Sequence, residues 1–259
     1  GAPMKPRRSL VREVLHRGLL SSAAEVEVAL AENRVRVNGA VVSNAASMVA
    51  PGDTVHVAPI ANRFVGRGGI KLEGALQHFG INVSGAYCLD IGASTGGFTD
   101  CLLQHGAAHV VAVDVGRGQL HQKMLTHAAV TSLESQHISQ LSPEDLRTHW
   151  GGQHSGLAQV VVTDVSFTSL AQLVPHIVVL SGAGAELVLL VKPQFEAERS
   201  DVPAGGIVVD PQVRQDAVDR VTEALNAAGC RVHGQYESPI SGAGGNIEFF
   251  LWATVHTDE

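Results

Sequence analysis

Two groups of residues in this 259-residue chain have the types and spacing for chemistry. The first is the run Cys88-Leu89-Asp90-Ile91-Gly92-Ala93-Ser94-Thr95-Gly96-Gly97-Phe98-Thr99, which reads as an apolar strand, a tight turn and the start of a helix. Gly92 can take backbone angles closed to other residues, and Gly96 and Gly97 let a ligand approach the main chain. Ser94 and Thr95 are the expected caps of the helix that follows. A turn of this kind after the first strand of an alternating β/α run holds a nucleotide-like cofactor. A dinucleotide site wants G-x-G-x-x-G for a pyrophosphate, whereas the spacing here is G-A-S-T-G-G, with Asp90 expected to point an acid at the pocket. Asp114 closes the next apolar run 22 residues beyond Gly92, about the distance at which an acid takes a ribose diol. Acids beside a glycine loop with no phosphate signature suit S-adenosylmethionine, whose sulfonium and amino groups are cationic. A strand–helix turn without a ligand is the alternative, and the coincidence of Asp90, the glycines and Asp114 weighs against it.

The second group is Lys71, Asp164, Lys192 and Glu248. Asp164 ends the apolar run Val160-Val161-Val162-Thr163, and Lys192 ends Leu187 to Val191. Strand C-termini form the ligand crevice of a parallel sheet, so both side chains are expected to face it. Glu248 enters the last apolar strand, and Lys71 begins the helix ahead of the sheet. Singly, each has a mundane reading as a solvated lysine or an edge-strand acid. Jointly, they describe a charged centre.

The elements that must position these residues follow from periodicity. Strands are expected at 87–91, 109–113, 129–133, 159–164 and 186–191, alternating with helices at 97–105, 118–126, 143–149 and 168–180. A helix over 70–79 precedes them. An amphipathic helix over 210–228 and two last strands, 231–237 and 247–254, follow. Near-continuous apolar runs mark strands buried on both faces. The fold class is α/β: a doubly wound, mostly parallel, seven-stranded Rossmann-like sheet with helices on both faces, closed by a hairpin. This is the class I methyltransferase architecture.

Hydrophobic residues make up 45% of the chain and charged residues 17%, which describes a globular protein. No run approaches the roughly 18 apolar residues of a membrane span, and the beginning lacks a hydrophobic signal core. Gly1-Ala2-Pro3 ahead of Met4 reads as a cloning remnant. Cys88, Cys101 and Cys230 lack metal-ligand spacing, so no metal is expected, and free thiols fit a reducing cytoplasm. The net charge of −7 hides an asymmetry: residues 1–71 carry ten Lys/Arg against five acids, and the remainder eight against twenty. A basic end is the signature of a polyanion-binding module.

In that basic end, two short helical patterns capped at Gly18 and Ser22 precede Val35-Arg36-Val37-Asn38-Gly39 and Gly52-Asp53-Thr54-Val55. With Arg17-Gly18-Leu19, these runs resemble the S4-type RNA-binding module, a small α+β fold. Ala23 and Asn33 depart from it, standing where arginine and glycine are usual. The resemblance implies RNA contacts from Arg7, Arg8, Arg12, Arg17, Arg34 and Arg36, joined by Arg63 and Arg67 of the following segment. The implied division is an RNA-binding domain over 4–58, a linker over 59–68 and a methyltransferase domain over 69–259.

The rest of the chain resembles the TlyA family, often labelled "hemolysin A", of ribosomal RNA 2′-O-methyltransferases. The resemblance is carried by Arg67-Gly68-Gly69-Ile70-Lys71-Leu72, Leu89 to Phe98, Asp114-Val115-Gly116, Asp164-Val165-Ser166-Phe167, Lys192-Pro193-Gln194-Phe195-Glu196, Gly205-Gly206-Ile207-Val208 and Gly245-Asn246-Ile247-Glu248-Phe249-Phe250. Arg117 stands where that family commonly has tyrosine, and Gly244 where a polar residue is usual. The resemblance places a catalytic K-D-K-E tetrad on Lys71, Asp164, Lys192 and Glu248. It implies S-adenosylmethionine contacts from Asp90, Gly92, Ala93, Ser94, Thr95, Gly96, Gly97, Phe98, Asp114, Val115 and Asp164. The implied partner is ribosomal RNA or a ribosomal subunit, with a cytidine ribose in 16S or 23S RNA as target. A small-molecule methyltransferase, a membrane-active hemolysin and a non-catalytic RNA-binding factor are the competing readings.

Overall fold

The computed structural model describes residues 6–257. Gly1-Ala2-Pro3, the expected domain start at Met4, Lys5 and the last two residues lie outside the described residues. Described residues up to Ala61, together with Pro239–Ile247, form one compact unit. Asn62–Ser238 and the residues from Glu248 onward form the other. This differs from the linear division at 58 and 69: the larger unit is interrupted by 239–247, and it includes Asn62–Arg67 of the expected linker, with Phe64 in its core.

The smaller unit runs β1 (Arg8–Ser9), α1 (Leu10–His16), α2 (Ala23–Ala31), β2 (Val35–Val37), β3 (Ala40–Val41), β4 (Met48–Val49) and β5 (Val55–Val57). Ser9 and Ser22 cap the two helices by accepting from Arg12 N and Glu25 N. Asn38 and Gly39, both at positive φ, turn β2 onto β3, as the Asn-Gly pair foretells. β5 pairs with the other edge of β2. The two-residue β1–β4 pairing was not foreseen, because two residues carry no periodicity. Leu10, Val14, Val26, Leu30, Val35 and Val49 make the core.

The larger unit begins with α3 (Gly68–Phe79), then β6 (Tyr87–Ile91), α4 (Gly97–Gln104), β7 (His109–Val113), α5 (Gln122–Leu125) and β8 (Val130–Leu133). It continues through α6 (Pro143–Arg147), β9 (Ala158–Thr163), α7 (Leu170–Val179), β10 (Ser181–Val191), α8 (Pro193–Glu196), α9 (Pro211–Ala227), β11 (Cys230–Glu237) and β12 (Phe249–Val255). Its seven strands stand in the order β11-β12-β10-β9-β6-β7-β8, with β12 antiparallel to both neighbours and the other pairs parallel. The period of two sorts side chains onto two apolar faces. Leu89, Val161, Leu187 and Leu189 meet Leu170, Val174, Val218 and Val221 of α7 and α9 on one face. Cys88, Val160, Val162 and Val188 meet Leu72, Leu76 and Leu102 of α3 and α4 on the other. The three cysteines are free and buried, and burial pushes the Cys101 thiol up to about 12.

Four local expectations are corrected. Ser94 and Thr95 do not cap α4: Gly96, at φ 101, is the N-cap, and a Cβ there would stand 2.8 Å from Leu120. The helix expected over 118–126 shrinks to α5, because Gly118 at φ +70 belongs to a turn and His121 caps only one turn of helix. β10 starts five residues early through Ser181-Gly182-Ala183-Gly184, a glycine-rich stretch with irregular pairing that hides its strand character. β12 starts at Phe249, so Glu248 sits just before the strand rather than within it.

Phe250 is fully buried, and its ring lies 6.1 Å from that of Phe98, so it packs β12, which begins one residue after Glu248, against α4. Phe250→Ala is expected to cost about 3–5 kcal/mol, read as a lower urea midpoint for the full chain.

Candidate active site

The sheet order reverses between β6 and β9, which opens a crevice at their C-terminal ends. Asp164 N donates to Ile91 O at 3.0 Å there, and Gly92 passes so close that a Cβ would stand 2.2 Å from Asp164 O. With φ at 80, this position accepts glycine and little else. The crevice is a cleft of about 600 Å³, within the range of small-ligand sites, and Gly92, Ser94, Asp114, Val115 and Asp164 line it. Asp114 accepts from Ser94 N and Gly116 N, both at 2.7 Å, which fixes its carboxylate with a lone pair to spare on each oxygen. Neither lysine nor arginine lines this cleft, so it suits a cationic ligand and not a phosphate.

Asp90 corrects its expected orientation. It is fully buried beneath the turn and does not line the cleft. Oδ2 accepts from the Thr99 hydroxyl at 2.6 Å, and Oδ1 has no partner. Burial, reinforced by Asp164 and Asp114, pushes its carboxyl up to about 7 against the opposing Thr99 bond. Ala93, Thr95, Gly96, Gly97 and Phe98 likewise shape the turn without lining the cleft. The stretch 64–69 packs onto that turn: a Cβ on Gly66 would stand 2.5 Å from Thr95 Oγ1, and one on Gly97 would stand 2.8 Å from Gly69 N. Its glycines therefore serve close packing.

The four ionisable residues form two ion pairs. Lys192 Nζ lies 2.6 Å from Asp164 Oδ1 and donates to Ser166 Oγ at 2.9 Å. Lys71 Nζ donates to Glu248 Oε1 at 3.0 Å, with both residues buried. Gln194 Nε2 donates to the other Glu248 oxygen at 3.1 Å, so the segment that carries Lys192 also holds the second pair. α3 begins near Asp164: a Cβ on Gly68, one turn before Lys71, would stand 3.9 Å from Asp164 Oδ2.

Three residues here were missed as participants. Ser166 and Gln194 hold the charged residues, and Phe167 is 90% exposed at φ 62, a strained conformation for an aromatic residue. Phe167 separates the cleft from a second cavity of about 580 Å³, and its ring lies 5.1 Å from that of Phe195. An aromatic three residues after the strand-end acid was the available signal.

The arginines divide. Arg17 is spent inside the smaller unit, with Nε on Glu13 and its other nitrogens on the carbonyls of Ala50, Pro51 and Asp53. Arg34 donates to Ala58 O and pairs with Glu32. Both side chains supply donors to turn carbonyls of their own unit. Arg8 pairs with Glu13, while Arg7, Arg12 and Arg36 are exposed. In the larger unit, Arg63 pairs with Glu73, and Arg67 is exposed at the start of α3. Gly244, in the smaller unit, has φ 78, which glycine takes without strain.

The family model for FtsJ-like methyltransferases matches residues 64–255, and that for the S4 domain matches 10–55. A Mycobacterium tuberculosis protein named 16S/23S rRNA (cytidine-2′-O)-methyltransferase TlyA is 40% identical over 98% of this chain and 92% of its own. Hemolysin A of Brachyspira hyodysenteriae is 38% identical over 90% of this chain and 93% of its own. A solved Streptococcus thermophilus structure that carries a hemolysin name superposes with a TM-score of 0.72 at 34% identity, covering 98% of this chain and 90% of that one. Among the described residues no helix is long and apolar enough to cross a membrane, and no cluster of residues could hold a metal ion. On this sequence, sheet order and paired domain content, the chain belongs to the TlyA family of FtsJ-like methyltransferases with an N-terminal S4 domain.

Proposed function

We propose that this chain methylates a ribose 2′-hydroxyl of ribosomal RNA, at a cytidine, with S-adenosylmethionine as methyl donor. The observation that carries the reading is Lys192, held by Asp164 and Ser166 at the mouth of an acid-lined cleft. In this reading Asp114 takes the ribose diol of the cofactor, and the acids of the cleft face its cationic groups. When bound, S-adenosylmethionine supplies the methyl group and leaves as a neutral thioether.

A ribose hydroxyl is a poor nucleophile, so alignment matters most, and near-attack positioning can supply about 7–11 kcal/mol of a barrier. As a neutral amine Lys192 has two N–H donors and one lone pair, and with the donors on Asp164 and Ser166 the lone pair is directed outward. That lone pair takes the proton of the 2′-hydroxyl as its oxygen bonds to the methyl carbon and the carbon–sulfur bond breaks, and the Asp164 carboxylate stabilises the ammonium so formed. Lys71 and Glu248 brace the segment that carries Lys192 through Gln194, and the exposed ring of Phe167 offers a stacking face for a nucleobase unstacked from its neighbours. The exposed arginines of the S4 domain supply phosphate contacts, which position without reading sequence. Action on ribosomal RNA places the protein in the cytoplasm.

Ribosomal subunits incubated with labelled S-adenosylmethionine, followed by mapping of the modified ribose, test this reading. Relatives are named for 16S and 23S RNA together and for 23S RNA alone, so both subunits belong in the assay. Label on a base, or on neither subunit, would refute it. Lys192→Ala should abolish transfer while cofactor affinity, read by calorimetry, stays within about twofold. RNA affinity should fall roughly a hundredfold between about 50 and 200 mM salt if about four phosphates are contacted, with Arg12→Ala reducing the log–log slope by about one.

A further inference from the structure

Two segments leave the sheet side by side at the crevice: 164–170 after β9, and 192–196 after β10. They are joined at three levels. Lys192 Nζ donates to Ser166 Oγ, the rings of Phe195 and Phe167 lie 5.1 Å apart, and Glu196 binds Ser169 and Leu170. The third link is unusual in its chemistry. Ser169 occupies the N-cap of the ten-residue helix α7, yet its hydroxyl makes no capping bond. It donates instead to Glu196 Oε2 at 2.7 Å, while Leu170 N donates to Oε1. The cap of α7 is thus a glutamate borrowed from the neighbouring segment, 7% exposed, with its charge at the positive end of the helix. Arg220 of α9 donates to the Glu196 carbonyl at 2.6 Å, fixing the same residue from behind.

We propose that Glu196 is a positioning residue: its ionised carboxylate holds the 164–170 and 192–196 segments in register, and so keeps Lys192 aligned. The proposal rests on the reading of Lys192 given above. Without the link, the two segments would be tied only by the contacts of Lys192 with Asp164 and Ser166 and by the Phe167–Phe195 ring contact, and the start of α7 would lose its cap. A displacement there of about 1 Å can cost on the order of a hundredfold in rate. Glu196 touches none of the reacting groups.

Burial raises the Glu196 carboxyl above its ordinary range, and the bonds from Ser169, Leu170 and Ala171, with the charge of Arg220, act in the opposite direction. The link is therefore intact above a titration that lies higher than that of a free glutamate, and is lost as pH falls through it. Glu196→Gln keeps the size and removes the charge. Its kcat should fall about tenfold with cofactor KM within about twofold, and the acid limb of the kcat profile attributable to Glu196 should vanish. Ser169→Ala, which removes a bond that lowers this carboxyl, should move the limb to higher pH, and it decides the matter alone if Glu196→Gln does not fold. Amide exchange at Leu170, measured on the full chain without RNA, should quicken at least about tenfold in Glu196→Gln and in the wild-type chain below the titration. Exchange needs no substrate, so it tests the link even if the wild-type chain proves to methylate something other than ribosomal ribose. Wild-type kcat and pH profile in Glu196→Gln, unchanged Leu170 exchange, or lost activity with an unmoved pH limb in both variants would each overturn the proposal.

Discussion

The buried ion pair between Lys71 and Glu248 is the constraint on which the site depends. The two residues are 177 positions apart in the chain, and both are removed from water. Desolvating two charges costs several kcal/mol each, and the attraction between them repays this only with good geometry and further hydrogen bonds. Gln194 provides one such bond to the second Glu248 oxygen. A pair of this kind adds little net stability compared with apolar residues of the same volume, whereas its single halves are costly to leave alone. Much of the surrounding core holds the pair in place. Leu72, Ala75 and Leu76 fasten α3 to the sheet beside Lys71, and Phe250 fastens β12 two residues beyond Glu248.

A second requirement is that several backbones meet within van der Waals range at the crevice. Gly92 presses on Asp164 O, and Gly97 lies against Gly66 and Gly69 N. Side chains would hold these segments apart and leave the strand-end acids too distant to share one ligand. Backbone N–H groups exposed by the turns are answered by carboxylates, as Asp114 answers Ser94 and Gly116, and Asp100 answers Val65 at 2.9 Å. The cleft therefore arrives with its acids already oriented. Orientation fixed before binding is what an alignment-driven reaction needs.

Much of this was legible in the sequence, for reasons that can be named. β6, β7 and β9 announced themselves because strands buried on both faces are continuous apolar runs, and their ends marked Asp114 and Asp164. The Asn38-Gly39 hairpin and the Ser22 cap were legible because each is a local rule with one physical cause. Asp90 was misjudged because the period of two fixes a side chain's face but not its depth, and its face is covered by α4. The bonds of Arg17 and Arg34 to turn carbonyls were not legible, because sequence counts charges without showing which carbonyls lack donors. Gln194 and Glu196 stand out in the sequence only as members of a motif. Their partners, Glu248 and Ser169, lie 54 and 27 residues away, beyond the reach of any periodic pattern.

The remaining design feature is a division of ligands by charge. The cleft of the larger unit is lined by carboxylates and no lysine or arginine, a surface that favours a sulfonium and disfavours phosphate. An RNA strand must nevertheless bring one ribose to its mouth. Each acid nearest that point is matched by a lysine: Asp164 by Lys192, and Glu248 by Lys71. The pairs leave the cleft interior negative while reducing the repulsion that a sugar–phosphate backbone would meet where the hydroxyl enters. Neutralising those acids by substitution would remove the repulsion equally well, but it would leave Lys192 with the Ser166 hydroxyl alone to hold its direction. The two contacts thus lower the repulsion that an anionic polymer meets, and the Asp164 contact also fixes the direction of the Lys192 amine, so each acid is more useful paired than absent.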